Sequence, residues 1–136
     1  MAAFMKPVDA VKAALAMRSE IARFNAARTE PDLILKIGLH RGAAIAVTFN
    51  DRLDYFGQSV NIAARVEALA NGGDICLTRE VHDAPDVQTI LAPYLVSTAP
   101  ARLKGVHDEV PVWRIHETGD GTAVPSSPSS CGFAVR

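Results

Sequence analysis

The first periodic stretch of the chain is helical. From Pro7 to about Ala27, Ala10, Ala14, Met17, Ile21 and Phe24 recur at a spacing that puts them on one face. That spacing predicts a buried stripe, with Met17 and Phe24 as core residues. Pro7 suits the first helical position, where a missing N–H costs nothing. Asp9 lies near the positive end of the helix dipole, and Glu30-Pro31-Asp32 ends the element. The period then changes to two. Leu33, Leu35, Ile37 and Leu39 alternate with Ile34, Lys36, Gly38 and His40, which predicts a half-buried strand over 33–40. Arg41-Gly42 is a turn. Ala43 to Phe49 reads as a second strand, rich in alanine, and its small side chains suit tight packing or the close approach of a ligand. Asn50-Asp51-Arg52 is polar and reads as the next turn.

Leu53 to Phe56 opens as strand or turn, Gly57 breaks it, and a helix follows from Gln58 or Ser59, whose polar side chains suit its first free N–H groups. Ile62, Val66, Leu69 and Ala70 form its apolar stripe. Asn61 and Arg65, four residues apart, stack on a different face. Asn71-Gly72-Gly73 is a stop signal. Asp74 to Thr78 reads as a short strand. Arg79 to Ala84 reads as one or two helical turns ending before Pro85, and Asp86 to Leu91 as another short helix. Tyr94 to Ala101 and Val110 to Ile115 read as strands joined through Leu103-Lys104-Gly105. Pro111 cannot donate to a ladder, so it predicts that the last strand lies at an edge or starts late. From Glu117 onward Gly, Ser, Pro and Thr dominate and periodicity is lost, which predicts a disordered tail over 117–136.

Bulk properties narrow the possibilities. The 136 residues fit one domain with a real core, and 49% hydrophobic with 21% charged residues is ordinary for a globular protein. A net charge of −1 provides no basic field to gather nucleic acid. Cys76 sits in an apolar strand and Cys131 in the tail, which is no disulfide framework and suits a reducing cytoplasm. No apolar run is long enough to span a bilayer, and Met1 to Lys6 is not a secretion signal. The expected location is therefore cytoplasmic.

The candidate chemistry centres on the middle helix. Arg65 has no Asp or Glu three or four residues away on its own helix. Its charge needs a partner elsewhere: water, another element, or a phosphate, which the planar guanidinium fits well. His40, His82, His107 and His116 lack metal-ligand spacing. There is no phosphate-binding glycine loop and no nucleophile motif. Arg52, close to Asp54, reads as a turn cation in preference to an interface contact.

The run Asp54-Tyr55-Phe56-Gly57-Gln58-Ser59-Val60-Asn61-Ile62-Ala63-Ala64-Arg65 resembles the signature of class III adenylate/guanylate cyclases, and Gly73 to Thr78 and Leu103 to Val106 continue the likeness. The resemblance implies an α/β (α+β), ferredoxin-like cyclase fold, with helices packed on a mainly antiparallel sheet. It implies a phosphorus-oxygen lyase of intracellular signalling that makes cyclic nucleotide and pyrophosphate. Asp54 would help read the purine base and favours ATP over GTP. Asn61 would orient the ribose, Arg65 would stabilise phosphate charge in the transition state, and Lys104 would contact the phosphates. The family uses two Mg or Mn ions held by two Asp residues, at a head-to-tail site shared between two chains. Those Asp positions belong to a segment of the family domain with no counterpart here, so no metal-binding residue is expected in this chain. Gly73-Asp74 and Gly119-Asp120-Gly121 stand in the wrong context to replace them.

The expectation is thus a partial, N-terminally truncated cyclase domain over 1–116, inactive alone and working as a homodimer or as a heterodimer with a complete cyclase chain. The other readings are a non-catalytic cyclase-homology dimerisation module and a gene fragment. A nucleic-acid-binding sheet domain ranks last.

Overall fold

The computed structural model describes residues 1–29, 33–103 and 109–116. Helix α1 spans Pro7–Ala26, with Pro7 in its first turn and Asp9 near its positive end. Strand β1 (Ile37–Leu39) is followed by β2 (Ile45–Phe49), β3 (Arg52–Phe56) and helix α2 (Gln58–Ala68). Then come β4 (Ile75–Thr78), the short helices α3 (Arg79–His82) and α4 (Val87–Leu91), and strands β5 (Val96–Arg102) and β6 (Glu109–Ile115). Four strands form one sheet in the order β1-β4-β6-β5. β1 runs parallel to β4, while the β4–β6 and β6–β5 pairs are antiparallel. The fold is therefore mixed α and β with a mainly antiparallel sheet, as the sequence predicts.

Helices cover both faces of this sheet. On one face Val11 and Ala14 of α1, Val81 of α3, and Val87 and Leu91 of α4 pack with Ile37, Ile75, Leu77 and Ile115. On the other face Val66, Leu69 and Ala70 pack with Cys76, Ala101, Leu103 and Val112, joined by half-buried Ile62. The alternation of β4 is thus Ile75 and Leu77 toward one layer and Cys76 toward the other. Covered twice, all four residues of β4 are buried. The predicted stripe of α2 is the one observed.

Four expectations change. The buried residues of α1 are Val11 and Ala14, flanked by Val8 and Leu15, whereas Met17 and Phe24 are 46% and 44% exposed. Arg18 lies on the inward side with Val11 and Ala14. It reaches across to donate to the carbonyls of Ile115 (3.2 Å) and His116 (3.0 Å) and stacks 5.6 Å from the Tyr94 ring centre. The face carrying positions 11, 15 and 18 is the one turned inward. The strand expected over 33–40 is ordered as strand only from Ile37 to Leu39, although Leu35, Ile37 and Leu39 do share the core-facing side.

The strand expected over 43–49 begins at Ile45 and does not join the sheet. Among the described residues it pairs only with β3, in a hairpin closed by Phe49 and Arg52. Asn50 (φ 48°) and Asp51 (φ 57°) both take left-handed backbone, the pattern of a two-residue type I′ turn. Finally, β6 lies inside the sheet, not at its edge. Pro111 is nonetheless accommodated, because β4 pairs with β6 only from Val112 onward. On the β5 side Pro111 stands opposite Pro100, so no donor is left without an acceptor between them. The tail expected over 117–136 lies outside the described residues.

Candidate functional site

The segment that carries the predicted residues is a hairpin strand feeding directly into a helix. Gly57 makes the joint with φ +132°, a backbone region that residues with a Cβ rarely adopt. Its carbonyl receives the N–H groups of Val60 (3.2 Å) and Asn61 (3.4 Å), which starts α2. No side chain caps this end, so the polar residues at 58 and 59 do not do the work expected of them.

Helix α2 has three distinct faces. Ile62, Val66 and Leu69 enter the core. Val60, Ala63, Ala64 and Glu67 line a cavity of about 570 Å³ that lies beside β1 and the N-terminal residues. Asn61 and Arg65 occupy the remaining face, with Asn61 exposed and Arg65 half-buried. The cavity is thus not where the predicted residues converge, since Asp54, Asn61 and Arg65 are absent from its walls. Among the described residues no hydrogen bond or ion pair engages the Arg65 guanidinium.

Asp54 is exposed on β3, opposite Val47. Its Oδ1 accepts the Tyr55 backbone N–H at 2.9 Å, leaving the other oxygen to the surface. By the two-residue period of the hairpin, Asp54 shares its face with Ile45, Val47, Phe49, Phe56 and Arg52, so a carboxylate and a guanidinium stand among exposed apolar side chains. Lys104 and His107 lie outside the described residues. Arg52 is exposed and closes the hairpin turn.

The helix lies close on the sheet. A Cβ at Gly38 would meet the Glu67 nitrogen at 2.2 Å and the Ala63 carbonyl oxygen at 2.6 Å, both backbone atoms. Only glycine lets α2 approach β1 at this distance. The sequence marks Gly38 only as a polar-side position of a strand, so this role is not legible there.

A second polar group was also missed. Asp74, which the sequence sets aside as a metal ligand, is buried at the start of β4. Its carboxylate faces Arg114 Nε at 3.5 Å and His116 Nδ1 at 3.7 Å. Arg114 also donates from Nη2 to the Leu69 carbonyl at 2.7 Å. Burial pushes the nearby Cys76 thiol upward in pKa, against the opposing hydrogen bond and charge of Arg114. His116 is bonded in turn to the Ser97 hydroxyl at 2.6 Å. The one available signal was the polar pair Arg114 and His116 flanking the apolar Ile115 at the end of a strand.

His40, at the end of β1, bonds through Nδ1 with the Thr78 hydroxyl at 3.0 Å and lies 3.6 Å from Glu80. Burial lowers its pKa, and the Glu80 charge only partly offsets this. His82 stacks on Trp113 at 4.4 Å with the rings 12° apart. Among the described residues no group of three or more His, Cys, Asp or Glu side chains is arranged to hold a metal ion, and no helix is long and apolar enough to cross a membrane.

Comparison with known proteins adds the family. The model of the adenylate and guanylate cyclase catalytic domain matches residues 3–116. A protein of Rhizobium meliloti (strain 1021), whose name places it among adenylate cyclases, is 28% identical over 113 residues, which is 81% of this chain and 18% of that protein. The adenylate/guanylate cyclase/hydrolase of Silicibacter pomeroyi superposes with a TM-score of 0.65 at 22% identity, over 82% of this chain and 62% of that one. The guanylate cyclase domain of RhGC from Catenaria anguillulae, solved in complex with GTP, gives 0.62 at 23% identity, over 79% and 57%. These similarities in structure are similarities of fold. The chain spans less than two thirds of either solved chain and under a fifth of the Rhizobium protein.

Proposed function

Because the chain belongs to the adenylate and guanylate cyclase catalytic domain family, we propose that it supplies the base, ribose and phosphate contacts of a nucleotide cyclisation site. In the reaction the 3′-oxygen of a nucleoside triphosphate attacks the α-phosphorus. The bond to the bridging oxygen breaks, pyrophosphate leaves, and the 3′-hydroxyl gives up its proton. The observation that carries this reading is the free face of α2, where Asn61 and Arg65 stand one turn apart and Arg65 has no partner among the described residues. A buried or paired arginine would be structural. This one is held ready for an anion, and its fork of donors matches phosphate oxygens.

In this reading Arg65 donates to the oxygens that gain charge as the 3′-oxygen attacks, and Asn61 holds the ribose so that attack is in line. Asp54 accepts from the exocyclic amine of adenine with its uncommitted oxygen, which favours ATP over GTP. Lys104 would add a further phosphate contact. Magnesium or manganese, in this family, would neutralise triphosphate charge and activate the 3′-hydroxyl. The described residues do not form a site for such an ion. No step through a metal is therefore assigned to this chain, and the metal-holding carboxylates would come from a second, complete cyclase chain in a dimer.

The test is complementation. The chain is mixed with a full-length relative whose own Asn and Arg at the matching positions are replaced by Ala, and ATP is supplied with magnesium or manganese. Cyclic AMP should form in the mixture, while the isolated chain should turn over far below about one per second, the low end of ordinary enzymes. Arg65→Ala should lower the recovered rate by about 10²–10³, the scale of one preorganised donor to a developing oxyanion. Recovery indifferent to Arg65→Ala would make α2 a structural helix. Heterodimers without activity would make the chain a non-catalytic cyclase-homology module.

A further inference from the structure

We propose that Arg114 is a positioning residue for α2, fixing the helix that presents Asn61 and Arg65. The inference rests on the reading of α2 as the nucleotide-facing helix, but the observations behind it are separate. The last carbonyls of any helix lack intrahelical partners and carry the negative end of its dipole. In α2 the carbonyls of Val66 and Glu67 are met by the N–H groups of Leu69 (3.2 Å) and Ala70 (2.9 Å). The Leu69 carbonyl instead receives Arg114 Nη2 at 2.7 Å, from a strand 45 residues further along the chain.

The guanidinium is itself held. Its Nε faces the buried Asp74 carboxylate at 3.5 Å. Asp74 immediately precedes β4, and Arg114 pairs with Cys76 in the β4–β6 ladder. The cation is thus bolted to the two inner strands of the sheet and reaches out to the end of the helix. Lysine would reach one of these partners at a time. The planar fork reaches the helix and the carboxylate together.

The consequence for the site is geometric. Leu69 lies four residues, one helical turn, after Arg65. Gly38 lets the middle of α2 rest on β1 but, having no side chain, gives no grip along the axis. Arg114 supplies that grip at the C-terminal end. If the bond to Leu69 is lost, the C-terminal end of α2 keeps the packing of Val66, Leu69 and Ala70 but loses this polar anchor, and any shift of the helix carries Asn61 and Arg65 with it. A misplacement of about 1 Å at reacting groups costs on the order of 10²-fold in rate.

Two readouts test this on the full chain. In the first, backbone amide resonances are compared between the wild-type chain, Arg114→Met and Arg114→Lys, with Asp74→Asn as the milder variant should Arg114→Met not fold. Amides of residues 61–69 should shift as a block in Arg114→Met, those of α1 and α4 should stay in place, and Arg114→Lys should fall between. Unmoved α2 amides in a folded variant lacking either the cation or its carboxylate would overturn the proposal. Shifts spread evenly through the protein would overturn it too, since a general packing role predicts them.

In the second readout, the complemented mixture is assayed well below the melting transition. Arg114→Met should lower kcat about 10-fold or more with a smaller change in KM, and Arg114→Lys should restore part of the loss. A kcat unchanged per folded chain would overturn the proposal. Arg65→Ala serves as the separate control. If it leaves activity intact, the function assigned to α2 fails, while the amide shifts still decide whether Arg114 positions the helix.

Discussion

The inner strand β4 and the hairpin of β2 and β3 draw on the same residue types and end in opposite states. Ile75 is fully buried and Ile45 is 67% exposed; Leu77 is fully buried and Leu53 is 59% exposed. β4 has a strand on each side and helices above and below, whereas among the described residues the hairpin strands pair only with each other. The sheet holds the fold, and the hairpin offers surface. The candidate nucleotide residues follow the second pattern. Asp54 lies in the hairpin, and Asn61 and Arg65 lie on a face of α2 that neither core layer uses. Ile45, Val47, Phe49 and Phe56 are all exposed on the hairpin face that carries Asp54 and Arg52.

The sharpest way to break this comparison is to truncate one leucine in each region. Leu77→Ala should cost about 2–5 kcal/mol, the range for emptying a packed core site, measured by urea denaturation. Leu53→Ala should stay within about 0.5 kcal/mol, as exposed substitutions do. A loss at Leu53 comparable to that at Leu77, growing with protein concentration, would show the hairpin to be buried against another copy in solution.

A second substitution tests the seam between the two regions. Gly38→Ala puts a methyl group 2.2 Å from the backbone of α2, where no flexible side chain can give way. The helix must lift from β1, at a cost of about 1–3 kcal/mol typical of overpacking. Urea denaturation gives the cost, and the amide shifts of α2 should show the displacement. Full wild-type stability would mean that the seam is looser than the geometry shows.

A smaller effect is expected from pH. His40 sits at the end of β1, and burial keeps its pKa below the ordinary value of about 6.5. The unfolded chain then binds more protons than the folded one between the folded pKa and about 6.5. Stability is therefore full above about 6.5 and falls as pH drops toward the folded pKa. Melting temperature should decline on acidification through this window, and His40→Gln should flatten the decline. An unchanged slope in the variant would assign the titration elsewhere.

The smallest effect belongs to the hairpin tip. Asp51 sits at φ 57° in a type I′ turn, where glycine is the favoured occupant. Asp51→Gly should stabilise the hairpin by about 0.5 kcal/mol or less, because relief of strain is offset by a freer unfolded chain. Hydrogen exchange of the β2 and β3 amides, not global melting, is the measurement that should register it.

Much of this molecule was legible in local spacing. The periods of α1, α2 and β4, the break at Gly57 and the stop at Asn71-Gly72-Gly73 arise from neighbours a few residues apart, so a linear reading finds them. The signature from Asp54 to Arg65 was legible for the same reason, as one contiguous run on two joined elements, and it led to the family. What lay beyond reach depends on partners far away in the chain. Spacing put Met17 and Phe24 on the buried stripe of α1, whereas the packed helix turns Val8, Val11, Ala14 and Leu15 inward, with Arg18 reaching β6, and leaves Met17 and Phe24 largely in water. Alternation made 43–49 a strand but could not say that it would leave the sheet. Pro111 entered an inner strand because β4 is too short to reach it. Gly38 reads as an ordinary strand residue until α2 lies across it, and Arg114 reads as a surface cation until the sheet brings it to Leu69. Periodicity reports which side of an element is apolar, and only the packed structure decides what that side, or the side opposite, will meet.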